Sequence, residues 1–341
     1  MSIISSSQTH KSSSQRSKRR KSIQRKNQRR IRQRTEFQKW RLGSINISTA
    51  VDDHRLEDGI RLIEEANLFA CTLQEFRRIG VGSCIVEGES YDWEVHWSGF
   101  KRKREYGVGI AIRVMPGIDI GEIKCIDERL MTASLTIFGL EVKVVSAYAP
   151  TNEAKDSAKI KFYQNLKKIK PDFKHQQLLY TGDFNSTTEA VRKQSCVRAG
   201  KVLENIVSND NGERLIDFTR DNNLSMLNTF FKQPWHRLIT WHSRDKKTKK
   251  ALDYHLSSDF LRQYCTNCRV YNGFKFQSDH RLLVSEWRTP KTKLARFVKR
   301  KKGKPSVKYD LTGFQDEAMK ANFQDAVKTK LENTQFDDCS D

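Results

Sequence analysis

The chain has 341 residues, 37% hydrophobic and 30% charged, and its 63 Lys/Arg against 41 Asp/Glu leave a net charge of +22. That length admits one large α/β unit of about 250 residues, with polar tails accounting for the low apolar fraction. No run of about 18 apolar residues is present, which excludes a helical membrane protein, and a sequence pI near 9.7 points to polyanionic partners.

Residues 1–38 read as a disordered basic tail. Residues 1–35 carry 12 Lys/Arg and no acid, with clusters at Ser17–Ser22 and Arg29–Arg34, and too few apolar groups to offset chain entropy. Such a tail suits nuclear import, or contact with DNA or RNA. There is no apolar core of a signal peptide, so secretion is not expected; a nuclear location is, with the cytoplasm as the alternative.

Order is expected over residues 39–290. Leu42, Ile45 and Ile47 mark a first strand that carries Asn46, and the spacing of Leu56, Ile60, Ile63 and Ala66 predicts a helix over 56–68. Phe69–Leu73 is a short buried strand running into Gln74 and Glu75, which makes a β-α-β start. Strands follow at Gly107–Arg113, Leu130–Ile137 and Leu140–Ala147, the last two a hairpin turned at Phe138-Gly139. A helix bearing Ile160, Phe162, Tyr163, Leu166 and Ile169 leads to a strand at Gln177–Thr181, which opens into Gly182-Asp183-Phe184-Asn185. Helices are expected over Thr187–Asn205 and Glu213–Asn222, and strands at Ser225–Leu227, Ile239–Trp241, Leu252–Leu256 and Leu282–Trp287. Alternation followed by consecutive strands predicts an α/β (α+β) class with two packed mixed sheets flanked by helices. Residues 291–341 read as a basic linker and one helix over Gly313–Leu331.

Seven cysteines are too sparse for a disulfide framework, and Cys265-Thr-Asn-Cys268 lacks the second pair of a zinc site. The polar clusters at strand ends carry more. Cutting a phosphodiester needs an activated water, charge relief on the non-bridging oxygens and help for the leaving oxygen. Mg²⁺ serves the last two and asks for only one or two carboxylates. Glu75 is a candidate metal ligand, although a strand-end Glu is commonly just solvated. In Gly182–Asn185 the acid and the amide stand two apart, facing one side if the segment is extended; an Asx-type turn is the plainer alternative. Asp253 is placed to fix the tautomer of His280, against the reading of a core histidine satisfied by an acid.

Taken in order, Ile45-Asn46, Gln74-Glu75, Ser146-Ala-Tyr148-Ala-Pro150, Gly182–Asn185, Leu252-Asp253-Tyr254 and Ser278-Asp279-His280 resemble the endonuclease/exonuclease/phosphatase superfamily over about residues 40–288. Gly107-Val-Gly-Ile, Glu128-Arg129-Leu and Thr240-Trp241-His-Ser243 further resemble the endonucleases of non-LTR (LINE-type) retrotransposons, a pattern shared by the host-derived craniofacial development protein 2-like group.

The resemblance implies a DNase I-like four-layer sandwich and a Mg²⁺-dependent endonuclease, with Mn²⁺ as a substitute, that nicks DNA to leave a 3′-OH. It implies Glu75 as metal ligand with Asn46 and Asp279 on the metal or scissile phosphate, and Asn185 and Tyr148 on the developing oxyanion. Asp183 or His280, the latter held by Asp253, would take the proton. Lys101, Arg102, Lys103 and Arg104, and Lys246, Lys247, Lys249 and Lys250 with Trp241, are candidate DNA-contacting loops. Repair enzymes of the superfamily place an acid two residues after the first Asn, where this chain has Ser48. Abasic-site repair, exonuclease activity, an inositol or lipid phosphatase and an inactive DNA-binding relic are the rivals. The segment after residue 290 resembles the joint to a reverse transcriptase, and truncation before one is expected.

Overall fold

The computed structural model describes residues 37–188, 198–199, 208–273 and 276–290. The expected tail up to residue 36, most of the expected helix at 187–205, and the linker and helix of 291–341 lie outside the described residues. The chain divides after Phe297 into a first unit that holds every described residue and a second, Val298–Asp341.

Strand β1 (Phe37–Asn46) begins ahead of the expected start of order, because Phe37 and Gln38 pair with Pro290 and Thr289. Helix α1 (Asp53–Glu65), capped by the Asp52 carboxylate on the His54 N–H, returns the chain to β2 (Ala70–Gln74), parallel to β1. Next come β3 (Val81–Glu87), β4 (Asp92–Ser98), β5 (Val108–Arg113), β6 (Ile118–Asp127), β7 (Leu130–Ile137) and β8 (Leu140–Tyr148). Helix α2 (Asp156–Lys168) crosses to β9 (Gln177–Asp183), parallel to β8. The remainder is β10 (Arg198–Ala199), α3 (Asp210–Asp221), β11 (Leu224–Met226), β12 (Trp241–His242), β13 (Lys249–Lys250), β14 (Asp253–Ser258), α4 (Asp259–Arg262), β15 (Cys265–Val270) and β16 (Leu283–Pro290).

These strands form two seven-stranded mixed sheets, β15-β16-β1-β2-β5-β4-β3 and β10-β11-β14-β9-β8-β7-β6, and β12 and β13 make a separate hairpin. Three apolar clusters set four layers. One lies between the sheets, with Leu42 and Ile110 from the first, Met131, Val144 and Leu179 from the second, and Trp40 stacked on Trp287 at 5.0 Å. A second joins α1 (Leu56, Ile60, Ile63) to Leu73 and Ala111, and a third joins α2 and α3 (Phe162, Leu166, Leu215, Phe218) to Val145 and Tyr180. Strands covered on both faces are buried at every position and mostly apolar, as in β2 and β5, where only Thr72, Gln74 and Arg113 are polar.

Four expectations need correction. Ile160 is 45% exposed, and Lys159 takes the buried place beside it, its ammonium on Asp210 at 2.9 Å and the Asn152 carbonyl at 2.7 Å. The expected helix over Thr187–Asn205 is not one in its described residues: Thr187 and Thr188 are irregular, and Arg198–Ala199 pairs with β11. The expected strand at Ile239–Trp241 is only the two-residue β12, since Thr240 instead ties neighbouring loops together. Finally β3, β4, β6 and β15 are strands where none was expected, and Cys265 and Cys268 are buried free thiols on β15.

Candidate active site

Register brings the strand ends to one rim of the sandwich. Asn46 at the end of β1 pairs with Gln74 at the end of β2, Tyr148 with Asp183 at the ends of β8 and β9, and Asp253 with Asp183 across β14. The sheets then meet through side chains. Asn46 Nδ2 donates to Glu75 Oε1 at 3.0 Å and to Asp183 Oδ2 at 3.2 Å, while its Oδ1 accepts from the Ser48 N–H at 3.0 Å. A buried amide held on three sides has one orientation, so Asn46 sets the spacing between the two acids.

Glu75 follows β2 with φ 52° and keeps a side chain 20% exposed. Tyr148 donates its hydroxyl to Glu75 Oε1 at 3.0 Å, and Arg77 pairs with Oε2. Burial first, and then the charges of Glu75 and Asp183, push the Tyr148 phenol far above its ordinary range, so it stays a donor. The oxyanion role expected of it would therefore require the hydroxyl to turn away from Glu75.

Asp183 is 1% exposed. Its Oδ1 accepts the Asn185 N–H at 2.9 Å, and Asn185 has φ 48°. The segment is thus the Asx-type turn and not extended, and the turn leaves Oδ2 free to face Asn46 and His280. Asn185 sends Nδ2 to the Ala149 carbonyl at 3.0 Å, which leaves its second amide hydrogen for another acceptor.

His280 closes the group. Its Nδ1 is 3.0 Å from Asp253 Oδ2, and its Nε2 is 3.6 Å from Asp183 Oδ2. Burial opposes the imidazolium, but the charges of Asp253 and Asp183 and the Asp253 hydrogen bond outweigh it and raise the His280 pKa to about 10. Burial, with the Asp253 charge, drives Asp183 up to about 7 against the opposing pull of His280. The pair titrates together: an imidazolium on one side and, near neutrality, a carboxyl changing charge on the other.

Asp279 stands apart from this hydrogen-bonded set. Its carboxylate is exposed and accepts from Trp241 Nε1 at 2.9 Å, while its charge helps raise His280. Trp241 bridges to His280 and carries Lys250 at 6.0 Å from its ring centre. Lys246, Lys247, Lys249 and Lys250 are exposed on the β12–β13 hairpin. Lys101 to Arg104 are exposed in the loop that ends at Tyr106 and Gly107, whose carbonyls accept the N–H groups of Arg77 and Phe76 at 2.9 and 3.0 Å. Both basic loops are therefore anchored beside the acids.

Sequence reasoning missed three groups. Ser278 donates to the Asn46 carbonyl at 2.6 Å and accepts from the His280 N–H at 3.0 Å, tying the two halves together. Thr240 Oγ1 accepts the N–H groups of Leu252 and Asp253 at 2.9 and 3.1 Å. Arg77 occupies one oxygen of Glu75. Ser278 and Thr240 stand inside or beside quoted motifs, and hydroxyls beside a loop acid were the available signal; Arg77 offered only its distance of two residues from Glu75.

Glu75 is a part-exposed carboxylate of the kind a hard divalent cation takes, its oxygens met here by the Asn46 amide, the Tyr148 hydroxyl and the Arg77 guanidinium. Asp183, Asp253 and His280 also lie close enough to share an ion, and Asp253 Oδ1 is a buried oxygen without a hydrogen-bond partner. Their burial and the imidazole nitrogen suit Mg²⁺ less well, and the Nδ1–carboxylate contact is that of an oriented histidine.

Residues 142–284 match the family model described as endonuclease-reverse transcriptase, a span that holds every candidate acid and the histidine except Glu75. Craniofacial development protein 2 of Bos taurus is 26% identical over 257 residues, covering 74% of this chain and 41% of the relative. The protein of the same name from Tragulus javanicus is likewise 26% identical over 257 residues, with 42% of its length covered. The chain thus spans about two fifths of these relatives. In fold, it is similar to the endonuclease domain of TRAS1, a telomere-specific non-LTR retrotransposon, with a TM-score of 0.50, 16% identity and coverage of 73% of this chain and 98% of that one. It is similar also to an AP endonuclease from Archaeoglobus fulgidus, with a TM-score of 0.52, 17% identity, and coverage of 72% and 98%.

Proposed function

From a domain of endonuclease/exonuclease/phosphatase type, we propose that this chain is a Mg²⁺-dependent endonuclease that nicks DNA in the manner of a retrotransposon endonuclease, leaving a 3′-OH and a 5′-phosphate. The observation that carries this reading is the contiguous set Glu75-Asn46-Asp183-His280-Asp253, joined by hydrogen bonds except between Asp183 and His280, which face each other as an ion pair at 3.6 Å, and crossing between the sheets.

Glu75 would hold the cation, with Asn46 beside it. Bound there, Mg²⁺, or Mn²⁺ in its place, supplies charge relief to the non-bridging and leaving oxygens. Asp183, held up near neutrality, is matched to accept the proton of the attacking water. His280 is protonated at neutral pH and so is a donor: it hydrogen-bonds a phosphate oxygen and stabilises charge as it develops. Between Asp183 and His280, this electrostatic order favours Asp183 as the base. Asp253 orients the imidazole, and Tyr148 and Asn185 donate to the oxyanion. The exposed lysines and arginines of the two loops hold the backbone on either side, fixing position without selecting sequence. The basic tail adds non-specific affinity for DNA or RNA, and a nuclear location accords with it.

Incubation with supercoiled plasmid, an abasic duplex and a phosphoinositide in Mg²⁺ tests the reading. Conversion of supercoiled to open-circular plasmid, abolished by EDTA and by Glu75→Gln, is expected. Phosphate release from lipid without nicking, or nicking by Glu75→Gln at the parent rate, would refute it. Cleavage confined to the abasic duplex would turn the assignment to repair, which Ser48 in place of an acid argues against.

A further inference from the structure

Glu75 and Arg77 are aimed at one point by a backbone that is held against its preference. Both residues lie in the left-handed region, with φ 52° and 57°, on either side of fully buried Phe76. Neither is glycine, and neither is Asn or Asp, so the conformation persists only because surrounding groups impose it. They do so at three points: the Phe76 N–H donates to the Gly107 carbonyl, the Arg77 N–H to the Tyr106 carbonyl, and the Phe76 carbonyl accepts the Ala50 N–H. Gly107, itself at φ 91°, admits this approach because a Cβ there would stand 2.9 Å from the Arg77 nitrogen. A plain strand end would carry neither side chain to the rim.

The result is that both oxygens of Glu75 are engaged. Oε1 takes Asn46 and Tyr148, and Oε2 takes the Arg77 guanidinium. A divalent cation held by Glu75 would repel that guanidinium and compete for the same lone pairs. Arg77 is 44% exposed, so it swings away without uncovering a core. Its backbone is bonded to the end of the basic 101–104 loop, so the released side chain is on the face that offers cations to a polyanion. A planar fork also matches a phosphate as well as it matches a carboxylate.

We propose that Arg77 is an exchangeable counter-ion: it neutralises Glu75 in the free protein, yields the carboxylate to the divalent cation, and then pairs with a phosphate of the bound DNA. This rests on the reading of Glu75 as the metal ligand.

The test uses the full chain. Mn²⁺ binding without DNA is followed by the EPR signal of the free aquo ion. Arg77→Ala is expected to bind Mn²⁺ about two- to fivefold more tightly, the range set by one partly exposed ion pair, while Arg77→Lys stays near the parent. Binding to a cleavage-resistant phosphorothioate duplex is then measured against salt. With Mn²⁺ present, Arg77→Ala should lower the log–log slope by about one, Arg77→Lys should restore it, and in EDTA the slopes should agree. Unchanged or weaker Mn²⁺ binding by Arg77→Ala, or the same loss of slope in EDTA, overturns the proposal. Arg77→Gln, which keeps most of the stem, replaces the Ala variant if near-UV circular dichroism shows that variant unfolded. Glu75→Gln separates the two levels. Loss of Mn²⁺ there with no gain in Arg77→Ala refutes the exchange alone, whereas parent-like Mn²⁺ binding by Glu75→Gln refutes the metal assignment beneath it.

Discussion

His280 lies between two buried acids, and that position decides which group takes a proton. With Asp253 on Nδ1 at 3.0 Å and Asp183 at 3.6 Å from Nε2, the imidazolium is favoured and the Asp183 carboxyl titrates near neutrality. A base must be ionised to act, so the nicking rate should rise as pH climbs through about 7. It should fall again as His280 loses its proton toward about 10. Asp183→Asn should lower the rate by about 10²- to 10⁴-fold and abolish the rising limb; single-turnover nicking across pH checks both. A rising limb that survives in Asp183→Asn would move the base elsewhere. At this scale the acids and the histidine were legible only as an ordered set that resembles a known family, since Glu75 and His280 singly had plainer readings. Their partners were not. A serine such as Ser278 or an arginine such as Arg77 has many bland uses on a surface, and only its distance to Asn46 or Glu75 gives it one here.

Gly182 shows how one element serves the site. It pairs with Ala147 in the parallel β8–β9 ladder at φ 151°, and a Cβ there would lie 1.9 Å from the Ala147 carbonyl oxygen. Gly182→Ala must therefore spread the two strands or rotate Asp183. It should cost about 3 kcal/mol in urea unfolding, combining a backbone clash with strain, and reduce nicking through misplacement of Asp183. Elements buried on both faces were readable from their mainly apolar composition, as β2 and β5 show. The edge strands were not: β3 exposes every second residue and carries Val81 and Ile85 on its open side, and β6 alternates charge with partly buried Ile. An edge has one neighbour and one covered face, so its composition is that of a loop. Thr240 failed for the opposite reason. Its apolar surroundings suggested a strand, whereas its hydroxyl is spent on the N–H groups of Leu252 and Asp253.

Across the whole molecule, charge and site are divided. More than half of the +22 net charge comes from residues 1–35, which hold 12 Lys/Arg and no acid, while the acids of the site lie within the sandwich. Tail charge should therefore govern affinity and its salt dependence and leave the bound rate alone. Replacing Lys18, Arg19, Arg20 and Lys21 together by Gln should lower the salt slope of DNA binding by about two to four between about 50 and 200 mM salt. The single-turnover rate at saturation should stay at the parent value; a change there would place the tail at the reacting phosphate. No helix among the described residues is long and apolar enough to cross a membrane. By itself the sequence determined the layer architecture, since hydrophobic periodicity and the β-α-β order leave few ways to bury those faces. It also determined the chemical kit, since carboxylates, amides and an imidazole at strand ends are set by residue type. Only the tertiary structure decided which of these touch. Asn46 and Asp183 lie 137 positions apart and meet at 3.2 Å because two sheets pack face to face. The electrostatics follow from such contacts: burial and the near approach of charged neighbours set the protonation of Asp183 and His280, and neither burial nor distance is a property of a residue's place in the chain.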